Sequence, residues 1–292
     1  MTTEPDPAAP SGVVVGVDGS QAGTAALHWA ADTAATYQAP LTIVFARPDV
    51  EGDVVEAEQE EQLLDRSASD ARERQPELVV RALRYPDPPV QAMLAASADA
   101  DMLVLGSRGL GGFRGLLMGS TAMQVVPWAR CPVVVIHPPR ESDGHEPLHP
   151  GQVVLGYDGS EQADAAAVLA FGHARAIGSG VVAVAVDKAR GESRIEDVDP
   201  TTEPLGSPQA GYWAPLRVIA EEFPDVPVRF RHGRGRPAGV LVDESHGCAL
   251  AVVGARGLGG FVGLLMGSVS QQVLSHADCP VAVVRPSVSE SR

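Results

Sequence analysis

The sequence predicts an α/β protein built from two tandem, doubly wound, five-stranded parallel-sheet domains of Rossmann-like type. Three observations carry that expectation. The chain repeats itself: VVVGVDGS at 13–20 returns as VVLGYDGS at 153–160, and CPVVVI at 131–136 returns as CPVAVV at 279–284. Within each copy, short apolar runs rich in β-branched residues alternate with alanine-rich or charged stretches, the pattern of strands buried on both faces and joined by crossover helices. A glycine-rich block follows the fourth run of each copy, GSRGLGGFRGLLMGS at 106–120 and GARGLGGFVGLLMGS at 254–268.

In the first copy the apolar runs at 13–17, 41–46, 78–83, 102–105 and 133–136 are the expected strands. Ser20 ends an Asp-Gly-Ser turn and is placed to cap a helix that runs through Thr36. Residues 56–74 form a charged amphipathic stretch, and 88–98 and 120–129 complete four helices. The second copy repeats the order, with strands near 153–157, 181–186, 226–230, 250–253 and 281–284. Right-handed crossovers turn this order into a sheet with helices on both faces, and ligands then bind beyond the carboxyl ends of the strands, where the winding reverses.

The first blocks are offset by 140 residues and the later ones by 148, so eight extra residues belong to the second copy. They are expected in 187–211, a stretch rich in Pro, Gly, Ser and acid. The expected domains are 12–138 and 151–286, with a Pro- and charge-rich linker at 139–150, a disordered tail at 1–11 and a tail at 287–292.

A formal net charge of -15 works against nucleic acid and anionic membranes, and no apolar run is long enough to span a bilayer. Three cysteines, Cys131, Cys248 and Cys279, make neither a disulfide framework nor a metal motif, which suits a reducing, cytoplasmic compartment. His145 and His149 have i, i+4 spacing, but Pro147 between them and Pro150 after them argue against a helical zinc site.

The glycine blocks carry the chemistry. Gly106-Ser107-Arg108-Gly109 is followed by nine residues and then Gly119-Ser120-Thr121. Gly254-Ala255-Arg256-Gly257 is followed by nine residues and then Gly267-Ser268-Val269. Glycines let the backbone approach a ligand, and a Gly-Ser pair opening a helix offers free N–H groups and a favourable dipole to phosphate. Neither block is a Walker A loop, because the single lysine, Lys188, is far from both Gly-Ser pairs. Neither first strand is followed by a Rossmann G-x-G-x-x-G. Arg108 and Arg256 are either phosphate contacts or solvated loop charges. The apolar segments 115–118 and 263–266 read as packing under the loop, or as a surface for a partner.

With G-x2-G-x9-G-[S/T] in both halves, the first-strand aspartates and the Cys-Pro-Val strand, the chain resembles the universal stress protein family in its tandem-domain form. The likeness covers nearly all of it. The resemblance implies an adenine nucleotide alpha hydrolase-like fold and ATP as ligand. It implies nucleoside contacts at Asp18 and Asp158, room for the ligand at Gly16 and Gly156, and adenine contacts near Ala46 and at Val186–Asp187. It also implies phosphate contacts along the two glycine blocks. The bland alternative for the aspartates is turn formation. Ser270 supplies a second hydroxyl after the Gly-Ser pair where Ala122 has none. Gly235-Arg236-Pro237 follows the family pattern where Asp87-Pro88-Pro89 departs from it, so the second site is the more regular.

Three function classes follow: an ATP-binding regulatory sensor, a slow ATP hydrolase or adenylate former, and a structural partner with vestigial sites. No placed base, lysine or repeated His–acid constellation favours a turnover enzyme, and a Mg²⁺ ion would have one carboxylate per site, Asp18 or Asp158. Both glycine blocks are intact, which argues against decay. The last strand of each half is an apolar edge, so the expectation includes an internal pseudo-dimer of the two halves. A homodimer of the chain and a regulatory protein partner complete it.

Overall fold

A computed structural model of the chain describes residues 12–48, 54–110, 118–138, 146–189, 191, 193–200, 208–258 and 265–286. The two expected tails, His145, residues 115–117 of the first apolar segment and 263–264 of the second lie outside these residues. The chain divides into two compact units, Met1–Pro138 and Pro139–Arg292.

The first unit runs β1 (Val13–Gly16), α1 (Gln21–Thr36), β2 (Leu41–Ala46), α2 (Val54–Arg74), β3 (Val80–Tyr85), α3 (Pro89–Ala96), β4 (Met102–Gly106), α4 (Ser120–Val125), β5 (Val133–Ile136). All its strand pairs are parallel, in the order β3-β2-β1-β4-β5. The winding therefore reverses between β1 and β4. Val13, Val14 and Val15 have no exposed surface, because helices cover β1 on both sides. Ala26, Ala30 and Ala34 line one face of α1 at i, i+4, i+8 and are wholly buried; their small side chains let α1 lie close over β1 and β4.

The second unit runs β6 (Val153–Gly156), α5 (Glu161–Ala176), β7 (Val181–Lys188), β8 (Arg194–Val198), α6 (Pro208–Glu221), β9 (Val228–Gly235), α7 (Pro237–Glu244), β10 (Leu250–Gly254), α8 (Ser268–His276), β11 (Val281–Val284). Its five parallel strands repeat the first unit's order as β9-β7-β6-β10-β11. Trp213 packs edge-on against Phe230 and near-parallel to Tyr157, filling the space above β9.

Three differences from the sequence expectation have physical causes. The second unit has a sixth strand: β8 pairs antiparallel with β9, with Arg194 opposite Arg234 and Val198 opposite Phe230. It lies inside the extra segment, where its sequence RIEDV is too charged to read as a strand. Second, the third strand of the first unit is 80–85 rather than 78–83, since Leu41 pairs with Val80. It is an edge strand with no buried residue, so the apolar run Leu78–Val80 misplaced it. Third, α4 stops at Val125 instead of 129; Pro127 has no N–H to continue the ladder. Among the described residues, no helix is long and apolar enough to cross a membrane.

Candidate functional site

Each unit carries a cavity at the carboxyl edge of its sheet, at the point where the winding reverses. In the first unit it measures about 520 Å³, with walls that include Gly16, Asp18, Ala46, Arg108, Gly109 and Ser120. In the second it measures about 400 Å³, with walls that include Gly156, Asp158, Val186, Lys188, Arg256 and Ser268. Both volumes are of the size that takes a small organic ligand.

The aspartates organise the rim. Asp18 Oδ1 accepts the Ser20 N–H at 3.0 Å, and its Oδ2 accepts the Leu110 N–H at 3.0 Å. Asp158 does the same with Ser160 at 3.1 Å and Leu258 at 2.8 Å. One carboxylate thus closes its own turn and holds the glycine loop across 92 residues of chain in the first unit. The turn role and the cavity position coexist.

That clasp explains two of the glycines. A Cβ at Gly109 or Gly257 would press on the Oδ2 atom of Asp18 or Asp158. Other glycines answer to packing. A Cβ at Gly106 would lie 2.7 Å from the Ala22 carbonyl carbon, and one at Gly254 would lie 3.0 Å from that of Gln162, so each loop starts against the first turn of α1 or α5. A Cβ at Gly16 would meet Met93 Sδ and Leu105 Cδ2, both at 2.9 Å, and one at Gly156 would meet Leu241. The room left by Gly16 and Gly156 is thus filled from below by side chains that floor the cavity.

The loops are closed at their bases. Gly119 N–H donates to the Ser107 carbonyl and Gly267 N–H to the Ala255 carbonyl, each at 2.7 Å. Ser107 and Ala255 are buried beneath the loop and do not reach the cavity walls, unlike the other predicted residues. The Ser20 hydroxyl, which caps α1 by accepting the Gly23 N–H, donates to the Arg108 carbonyl at 3.2 Å. In the second unit, the Gln162 side chain accepts the Arg256 N–H instead. These two residues position the loop from a distance in sequence; Ser20 reads there only as a helix cap, and Gln162 carries no signal.

The helix starts differ in kind. Ser20 and Ser160 cap α1 and α5 with their side chains. Gly119 and Gly267 open α4 and α8 with no side-chain cap, and Ser120, Thr121, Ser268 and Val269 line the cavities there. First-turn N–H groups without an intrahelical or side-chain acceptor favour an anion. The Ser270 hydroxyl donates to the Gly254 carbonyl at 2.6 Å and is buried, so it braces the strand end.

Beside the second cavity, burial and the hydrogen bond donated to Asp164 raise the Tyr157 phenol well above its ordinary range, leaving it a neutral donor. Val17 takes the matching place in the first unit. Among the described residues, no group of three or more His, Cys, Asp or Glu side chains forms a metal site. His149 is hydrogen bonded to Glu244 at 2.9 Å.

The universal stress protein family profile matches residues 12–137 and again 151–285. A universal stress protein of Mycolicibacterium smegmatis is 33% identical over 290 residues, covering 94% of this chain and 97% of its own. The crystal structure of a universal stress protein from Archaeoglobus fulgidus superposes with a TM-score of 0.67 at 20% identity, over 94% of this chain and 98% of that one. A universal stress protein solved in complex with cAMP is 28% identical and aligns with 45% of this chain and 99% of its own, at a TM-score of 0.36. Two matched domains and a relative similar over nearly its whole length lead to one statement: this chain belongs to the universal stress protein family.

Proposed function

We propose that each unit binds one ATP at the carboxyl edge of its sheet and that the chain acts as a nucleotide-responsive regulator. The observation that carries this reading is the pairing, twice over, of a cavity at the winding reversal with a glycine-headed, uncapped helix start. A phosphate chain fits such a start because backbone N–H groups can approach it without a side chain in the way. Arg108 and Arg256 stand on the same walls and suit phosphate oxygens. The nucleoside lies along Asp18 and Ala46 in one unit and along Asp158, Val186 and Asp187 in the other.

A Mg²⁺ ion, where one accompanies the nucleotide, has one protein carboxylate per site. Each oxygen of Asp18 and Asp158 already takes one N–H, which leaves lone pairs for an ion held mainly by phosphate oxygens and water. The proposal extends to a regulatory protein partner and to self-association of the chain, including pairing of its two halves through their last strands. Sedimentation equilibrium with and without ATP tests the self-association.

The central test is direct. Freshly purified protein is heat-denatured and any released nucleotide is identified by chromatography, with calorimetry of added ATP alongside. Gly119→Val and Gly267→Val are the variants of choice, because both positions have extended backbone (φ −77° and −75°) that any residue adopts. The expected result is one ATP per unit, with one site lost in each variant and both in the double variant. A folded wild-type chain that releases no nucleotide and takes up no ATP overturns the reading.

A further inference from the structure

Two of the three cysteines meet in the second unit. Cys248 ends the turn that leaves α7, and Cys279 ends the turn that leaves α8, so they stand just before β10 and β11. Those strands are parallel neighbours, with Ala251 opposite Val281. The two turns are tied to each other as well. Asp278 Oδ1 accepts the Gly247 N–H at 3.4 Å, and its Oδ2 is paired with His246 Nδ1 at 2.6 Å. Gly247 has a left-handed backbone (φ 62°), which brings the chain round from α7 to β10. In this setting the Cys248 thiol is hydrogen bonded to Cys279. Both cysteines are free and buried, with 6% and 3% of their surface exposed.

The first unit has no such pair. Cys131 matches Cys279, but the position matching Cys248 is Ala100, so packing at this corner does not require a second thiol. Burial pushes the Cys131 thiol up to about 12. At Cys248 the contact with Cys279, and then burial, hold the thiol well above its ordinary range. Cys248 therefore keeps its proton and offers it to Cys279. A thiolate at Cys279 has a donor placed on it and a second sulfur beside it.

We propose that Cys248 and Cys279 form a modification site, at which peroxide, a water-sized two-electron oxidant, converts the two thiols into a reversible disulfide. The Cys279 thiolate attacks one peroxide oxygen and the O–O bond breaks, leaving a sulfenic acid and a hydroxide that takes up the proton Cys279 gave. The Cys248 sulfur then attacks the Cys279 sulfur, the S–O bond breaks, and the oxygen leaves as water with the Cys248 proton. Two thiols and one peroxide become one disulfide and two waters. The ring so closed, from 248 to 279, contains all of β10, the glycine block 254–268 and α8. Oxidation thus clamps the two ends of the segment that forms the loop side of the second cavity.

The test treats the full folded chain with stoichiometric hydrogen peroxide and counts thiols after denaturation. Three thiols are expected to fall to one, with recovery in dithiothreitol and a linked peptide joining 248 to 279. Cys131→Ala is expected to lose the same two thiols. Cys248→Ala, which installs the residue the first unit carries there, is expected to form no such link. Hydrogen exchange across 249–278 is expected to slow by about tenfold or more in the oxidised chain, while the matching segment 101–130 of the first unit is unchanged. Three surviving thiols, or a link made through Cys131, overturn the pairing. A 248–279 link that leaves exchange across 249–278 unaltered overturns the clamp.

Discussion

At the scale of single residues, the Asp18–Gly109 and Asp158–Gly257 pairs show two sequence positions specifying one another. The carboxylate occupies the space a Cβ would need and takes an N–H from the residue just beyond the glycine. Gly109→Ala is therefore expected to cost about 1–3 kcal/mol in denaturant unfolding. Asp18→Ala leaves the Ser20 and Leu110 N–H groups without that acceptor and costs a similar amount. The double variant should cost less than the two together, because the steric conflict disappears with the carboxylate; strict additivity would sink this account. His173 gives a second prediction. Burial lowers its pKa to about 4 from an ordinary 6.5, so the unfolded chain binds the proton more readily. The neutral imidazole's contribution is complete above pH 6.5 and is lost as pH falls toward 4. At pH 5 the loss is about 2 kcal/mol. His173→Gln should flatten stability between pH 7 and pH 5, measured as urea midpoints, and an unchanged slope would refute the assignment.

At the scale of elements, the second unit is tied together by a buried polar network centred on Glu244, a position that is Ala96 in the first unit. Glu244 in α7 is hydrogen bonded to His149, which precedes β6, and is paired with Arg231 in β9. Arg231 reaches on to Asp197 in β8 at 2.9 Å. Burial pushes the Glu244 carboxyl up. The His149 hydrogen bond and the Arg231 charge more than offset that and hold it below its usual range. Removing one member of such a network strands the rest, so Glu244→Ala is expected to cost about 3–5 kcal/mol. Its match in the first unit is Ala96, where the same helix position is plain packing. A loss under about 1 kcal/mol would show that the network contributes little. None of this was legible beforehand: Glu244, His149 and Arg231 are far apart in the chain, and His149 reads as a linker residue. The valine runs were legible because a strand buried on both faces needs them, and the glycine spacing was legible because it recurs. The reason for each glycine was not. Gly106 and Gly254 answer to a helix start that only the folded sheet brings near, and β8 is held by pairing with β9 that its charged sequence does not announce.

At the scale of the whole molecule, a net charge of -15 surrounds two sites with different numbers of cations on their walls, Arg108 in the first and Lys188 with Arg256 in the second. Any polyanion approaching the chain is repelled by the general field, and that repulsion weakens as salt shortens the screening length from about 30 Å at 0.01 M to about 8 Å at 0.15 M. For the first site, with Arg108 as the cation on its wall, screening removes mostly repulsion. For the second, with both Lys188 and Arg256 on the wall, screening removes attraction from charges much nearer the ligand. ATP affinity measured on the two single-site chains is therefore expected to move in opposite directions with added salt. It should rise a few-fold at the first site and fall a few-fold at the second between about 20 and 300 mM NaCl. Parallel slopes would mean that the overall charge, and not Lys188 and Arg256, governs both sites. Opposite slopes would make the duplicated chain a single protein that reports nucleotide through two sites tuned to different ionic conditions.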